Sequence, residues 1–228
     1  MVYIIGNKVR NSANPMWSEG KPYVRESIYE IKDSKLPPVN YDRHTFSPHS
    51  ITHCESSKHI NNSGNTIDVL FENKPDIFFG DCLVLKFKNE LSEINNYNCI
   101  KIITLGELKD KLSAFEVIPR KILITVENYP ENSDGYHSEE FIVVLNEEAA
   151  EYLVNVCDIN LFGTTWKSTD YQPGKLERPI HEIIFRKAVI FELLTLNHVP
   201  EGIYFFSGIP LYVEFMIECP VTPILIKR

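Results

Sequence analysis

The sequence predicts a mixed α and β fold built on many strands. Three observations carry that prediction. Short runs of Val, Ile, Leu and Phe are bounded by turn residues, capped helical patterns alternate with them, and 43% hydrophobic content over 228 residues suffices to bury a core. One compact domain over 1–228 is the expectation, since no internal repeat or low-complexity linker divides the chain.

Residues 1–45 are rich in Pro, Asn, Ser and charge and read as short extended pieces joined by turns, as in NPMWSEGKP and KLPPVN. NNSGNTIDVLF gives a turn and then an apolar segment, and the CLVLKF end of DIFFGDCLVLKF reads as a buried strand. TLGELKDKLSAF has helical spacing with Thr104 placed to cap it, and RKILITVEN is a strand. The second half then repeats a strand, helix, strand order: EEFIVVL, NEEAAEYLVNV with Asn146 as cap and acids in its first turn, and INLFGTT. Another such unit follows, in which RPIHEIIFRKA opens on a proline near a helix start and VIFELLTL is a strand. After the turn HVPEG, IYFFSGIPLYVEF and VTPILIKR supply closing strands.

Charge and cysteine usage exclude several functions. A formal net charge of −8 and a pI near 5.4 leave no basic stripe for nucleic acid, so a polyanion partner is not expected. Cys54, Cys82, Cys99, Cys157 and Cys219 are odd in number, scattered and free of any CxxC pair, which fits free thiols in a reducing compartment and a cytoplasmic address. The N-terminal apolar run is too short for a signal segment, and no stretch approaches the roughly 20 apolar residues of a membrane span.

The densest chemical signal is FSPHSITHCESSKHI, residues 46–60. His49, His53 and His59, three of the chain's seven histidines, lie here with Glu55 among them. In an extended segment His49, Ile51, His53, Glu55, Ser57 and His59 project from one face and Cys54 from the other, whereas a helix would split His53 from Glu55 by about 200°. Extension cannot be complete, because at ~3.3 Å per residue His49 and His59 would stand about 33 Å apart. The segment must therefore bend, while His53 and Glu55 need no bend to meet at one ion. Imidazoles with a carboxylate suit zinc, manganese or iron. Spacing by itself leaves surface or hydrogen-bonded core histidines as open alternatives.

The run PHSITHCESSKH resembles the HxGTHxDxPxH signature of the cyclase family of metal-dependent hydrolases, the group that includes kynurenine formamidases and isatin hydrolases. His49, Thr52, His53 and His59 match, and Glu55 stands where the family has Asp. NNSGNTIDVL is similar to the family's Gly-containing turn before an Ile-Asp pair, and LNEEAAEYLVNVCDINLFGTTWKSTD to its helix, strand and GxDxxSxD segment. HEIIFRKAVIFELLTLNHVPEGIYFFSGIPL is similar to the segment whose His and downstream Glu complete the metal site, and NPMWSEGKP to a Trp-containing loop that touches substrate. The likeness spans nearly the whole chain.

The resemblance implies a swivelling β/β/α fold with a barrel-like mixed sheet and flanking helices, assembled as a homodimer or homotetramer. It implies a divalent metal, zinc or manganese, at one or two ions per chain. His49, His53, Glu55, His181 and Glu192 would be the ligands, His59 the catalytic acid/base, and Trp17 a residue stacked on substrate. Glu192 also stands out unaided, because a carboxylate inside VIFELL is costly unless paired or on a metal. Thr52 is expected to orient a ligand or water, and Cys54, His44 and His198 to lie outside the site. The implied activity is hydrolysis of a small, cyclic or aromatic amide, lactam or ester by hydroxide generated at the metal. A metal-dependent cyclase or lyase, and a binding protein that keeps the fold, are the alternatives. Ile51 replaces the motif Gly, Ser57 its Pro and Thr165 the first acid of GxDxxSxD, and the His181 to Glu192 interval is one residue short.

Overall fold

A computed structural model describes residues 1–10, 15–17, 20–31, 38–91, 93–94, 99–130, 141–171, 174 and 176–227. Its strands are β1 (Val2–Ile4), β2 (Tyr23–Tyr29), β3 (Tyr41–Phe46), β4 (His53–Glu55), β5 (Phe79–Phe87), β6 (Glu93–Ile94) and β7 (Cys99–Ile103), followed by β8 (Lys121–Val126), β9 (Phe141–Leu145), β10 (Leu161–Thr164), β11 (Val189–Glu192), β12 (Gly202–Ser207), β13 (Glu218–Pro220) and β14 (Ile224–Ile226). The α-helices are α1 (Ile67–Asn73), α2 (Leu105–Leu112), α3 (Glu147–Asn155) and α4 (Pro179–Ile184). Nine strands form one mixed sheet curled into a half-barrel, in the order β1, β14, β12, β5, β8, β10, β11, β4, β13. β6, β7 and β9 make a second sheet, and β2 pairs with β3 as a separate hairpin.

The central strands β5, β8, β10 and β11 are parallel neighbours, and parallel strands need cover on both faces. That is why their sequences are near-continuous apolar runs rather than alternating ones. One face sends Leu83, Leu85, Ile122, Ile124, Phe162 and Ile190 against Leu108 and Leu112 of α2, Leu153 of α3 and Ile180 and Ile184 of α4. The other sends Val84, Leu123, Leu161 and Phe191 against Ile67 of α1, Phe78 and Phe206. The expected caps form: Thr104 and Glu107 bond reciprocally in a capping box, and Asn146 Oδ1 accepts from Ala149 N at 3.0 Å.

The structure decides one segment that the sequence leaves open and corrects another. The apolar segment after NNSGN is a helix, because Ile67, Leu70 and Phe71 recur at i, i+3, i+4 and pack on the core as one stripe. The strand expected through IYFFSGIPLYVEF stops at Ser207, since Pro210 has no N–H to give to a ladder and Phe215 takes a left-handed φ of 60°. The turns expected in KLPPVN and NPMWSEGKP fall partly at 35–37, 14 and 18–19, outside the described residues.

One glycine governs how the site is presented. Gly64 closes the turn after His59, with its N–H given to Asn61 O at 2.8 Å, and a Cβ there would lie 2.6 Å from Lys58 N and 2.6 Å from Ser57 C. Those are backbone atoms that cannot rotate aside. Replacing Gly64 with Ala is expected to lower stability by about 1–3 kcal/mol, as overpacking does, and to shift the Ser57–His59 turn. A urea midpoint equal to the wild type's would show that the two backbones part freely.

Candidate metal centre

Strand β4 is three residues long and lies between β11 and β13, antiparallel to both. The register sets Glu192 opposite His53 and Glu218 opposite Glu55, while Cys54 faces Phe191 and Cys219. Directly opposed residues share a face of the sheet, with Cβ atoms about 4.5–5.5 Å apart. His53, Glu55, Glu192 and Glu218 therefore meet on one face, and Cys54 turns into the core with none of its surface exposed.

The extended reading of the cluster holds only for His53–Glu55. His49 sits in a 3₁₀ turn, Pro48–Ser50, and His59 in another, Ser57–His59, and these two bends bring together rings that full extension would hold far apart. The His49 ring centroid is 5.0 Å from His53 and 4.9 Å from His59, and His59 is 5.9 Å from His181. Ile51, standing where the motif has Gly, keeps an ordinary extended backbone at φ −134° and ψ 168°. The bend precedes it, so no left-handed residue is required.

Each imidazole is held by one nitrogen and turns the other inward. His53 Nδ1 donates to Ile51 O at 2.8 Å, so in the neutral ring the Nε2 lone pair faces Glu55 Oε1 at 2.9 Å and Glu192 Oε2 at 3.8 Å. His181 gives Nδ1 to Asp170 Oδ2 at 2.6 Å and aims Nε2 at Glu55 Oε2 (3.5 Å) and Glu192 Oε1 (3.6 Å). His49 reaches Glu218 Oε1 with Nε2 at 3.0 Å and Glu55 Oε1 with Nδ1 at 3.4 Å. A lone pair against a carboxylate is repulsive unless a proton or a cation lies between them.

Glu55 Oε2 is buried and has no hydrogen-bond partner, which in a carboxylate enclosed by imidazoles marks a place for a cation. Candidate ligand atoms of His49, Glu55 and His59 lie within 4.8 Å of one another, as do those of His53, Glu55 and Glu192. The two sets share Glu55, so the donors fit one ion or a pair bridged by it. Nitrogen and carboxylate oxygen donors suit a borderline divalent ion, and the Asp170 to His181 bond is the outer support that fixes such a ligand's tautomer.

The charge balance follows from the same contacts. Burial alone would push the Glu55 carboxyl up, but His181, His49 and His53 outweigh it and hold it well below the usual range. Burial together with the Glu55 charge raises Glu192 to about 7. Burial also disfavours charged His49 and His181, yet Glu218 and Glu55 on the first and Asp170 and Glu55 on the second raise both to about 10. Glu218 is lowered to about 2 by hydrogen bonds from His49 and His59.

Trp17, 37% exposed, lines a pocket of about 190 Å³ with His49, His59, Ser168, Arg178 and His181, and Glu55 and Glu192 also border it. Thr52 is bonded to backbone on both sides. Its Oγ1 donates to Leu193 O at 2.7 Å and accepts from Asn7 N at 2.8 Å, pinning the end of β11 where Leu193 takes a left-handed φ of 57°. Thr165 pairs with Thr125 at 3.3 Å, in neither candidate ligand set. His44 stacks on Tyr23 in the hairpin, and His198 is exposed beside Tyr3.

Sequence reasoning missed three contributors. Asp170 closes the GTTWKSTD segment and could have been found there, because its position matches the second acid of GxDxxSxD. Thr169 gives its N–H at 2.5 Å and its hydroxyl at 2.9 Å to Glu192 Oε1. Glu218 carried only the weak signal of an acid in MIECPV, and β13 pairing alone brings it to His49 and His59.

Comparison with known proteins agrees with this architecture. A predicted metal-dependent hydrolase from Bacillus stearothermophilus superposes with a TM-score of 0.69 at 23% identity, over 99% of this chain and 97% of that one. Isatin hydrolase A from Labrenzia aggregata, solved with benzyl benzoate, gives 0.75 at 17% identity, over 100% and 94%. Isatin hydrolase A from Ralstonia solanacearum gives 0.75 at 18%, over 100% and 92%. Likeness at these identities establishes the fold. The family model "Putative cyclase" matches residues 6–171, most of the chain and the whole His49 to Asp170 part of the site, and the protein belongs to this Cyclase family.

Proposed function

We propose that the chain is a divalent-metal-dependent hydrolase of a small, cyclic or aromatic amide, lactam or ester. The observation that carries the reading is the buried Glu55 oxygen without a hydrogen-bond partner, enclosed by inward-facing imidazole nitrogens. The names of the structural neighbours point the same way. His49, His53, Glu55, His181 and Glu192 would hold one or two ions, zinc or manganese by donor chemistry. Such an ion supplies a water of lowered pKa and polarises a carbonyl.

The rest of the reaction falls to this chain's own residues. His53 and His181 are sealed from solvent, whereas the His59 side chain keeps a quarter of its surface. His49 keeps as much, but its Nδ1 is turned to Glu55 as a proposed ligand, which leaves His59 to exchange protons with the pocket. Glu218 engages its Nδ1 at 3.2 Å, leaving Nε2 to take the proton of the attacking water and return it to the leaving nitrogen or oxygen as the C–N or C–O bond breaks. Trp17 offers an indole face at the pocket edge to a flat substrate.

Elemental mass spectrometry of the purified protein should find one or two equivalents of zinc, manganese or iron, lost when His53→Ala and Glu192→Ala are combined. Metal retained by that double variant would separate the ion from this cluster. In the His59→Ala variant, metal at His53, Glu55 and Glu192 should remain while kcat falls by roughly 10²–10⁴, and wild-type turnover would remove His59 from the chemistry. Because His49 and His181 are raised to about 10, both carry protons at neutral pH in the metal-free protein. A ligand must give up its proton, so binding releases protons and affinity rises with pH below that range. Calorimetry at pH 7 in buffers of different ionisation enthalpy reads this directly, and a heat independent of buffer would contradict it.

A further inference from the structure

We infer that Arg178 is a specificity-determining residue that binds a carboxylate on the substrate, so that the preferred substrates are anionic; this rests on the hydrolase reading above. Arg178 is partly buried and lines the same pocket as Trp17, His49, His59 and His181. Among the described residues its guanidinium has no ion-pair or hydrogen-bond partner. The other cation at this edge, Lys167, is engaged: its ammonium lies 4.4 Å above the Trp17 ring and donates to Met16 O at 2.8 Å. Among the described residues, Arg178 is thus the cation at this edge available to a ligand.

Local structure gives Arg178 no reason to be there for stability. It occupies the N-cap position of α4, where Ser, Thr, Asp or Asn would be favoured and a positive charge opposes the helix dipole. The capping is done instead by Asp170, which accepts from Ile180 N at 3.0 Å and His181 N at 2.9 Å as well as from the His181 ring. Pro179 restricts the Arg178 backbone, whose carbonyl accepts from Glu182 N at 2.9 Å. The carboxylate that orients His181 therefore also fixes the root of the arginine three residues before it. A planar guanidinium fork matches a carboxylate with two parallel hydrogen bonds, which a lysine ammonium does not reproduce.

Two ratios test this, measured on the manganese-loaded protein. The first is kcat/KM for formanilides bearing a meta or para carboxylate against formanilide itself. The second, which needs no turnover, is the dissociation constant of isophthalate against benzoate by calorimetry, where one carboxylate can meet the metal and the second the arginine. In the wild type both ratios should favour the extra carboxylate by about 10- to 100-fold, the range of one charge-assisted pair. They should fall to near one in R178M and R178Q, and R178K should recover only part, each variant being checked for wild-type metal content and circular dichroism. Ratios near one in the wild type, or unchanged in the variants, overturn the assignment. If no amide or ester is turned over but the isophthalate preference holds and depends on Arg178, the hydrolase reading falls and the carboxylate site stands.

Discussion

The structure turns on the enclosure of carboxylates by imidazoles at one end of the sheet. Glu55 and Glu192 are all but sealed from water, and two carboxylates in that state repel each other and lose their hydration. His49, His53 and His181 offset this for Glu55, whereas burial and the Glu55 charge outweigh what His181, His53 and Thr169 give Glu192, the member driven toward neutrality. A cluster of this composition is a poor way to stabilise a domain compared with an apolar core. The unpartnered Glu55 oxygen within it is of the kind that a cation offsets.

The scaffold around that cluster follows from what it must hold in place. β4 is only three residues long, yet it is paired on both sides, so its two inward residues cannot slip by one position without turning Cys54 into the site and His53 into the core. Thr52 ties the start of β4 to the end of β11, and Asp170 ties the GTTWKSTD segment to the start of α4. Each tie is a polar side chain bonded to backbone of a distant segment. The candidate ligands are thereby aimed by bonds made to backbone outside the cluster.

The fold was largely legible in the sequence, because its central strands and its capped helices express local rules. KILITV and FIVVL could only be buried strands, and Thr104 and Asn146 announce their helices by the hydrogen bonds they go on to make. The sequence leaves α1 open because seven residues with four apolar positions carry too little periodicity to separate helix from strand. Departures from the motif proved local. Ile51 asks for no special backbone, and Thr165 is bonded to Thr125.

By itself the sequence determined which residue types are present and how near they lie along the chain. That was enough to bring His53 and Glu55 to one face and to mark Glu192 as an acid out of place in an apolar strand. Only the tertiary structure decided that Glu218, 159 residues beyond His59, bonds to it, that Asp170 serves both His181 and the helix start, and that Arg178 comes to the same pocket as Trp17. The physical reason is that alternation and capping act over a few residues, whereas strand order and register join segments by hydrogen bonds between backbones, and backbones carry no record of their partners in the sequence.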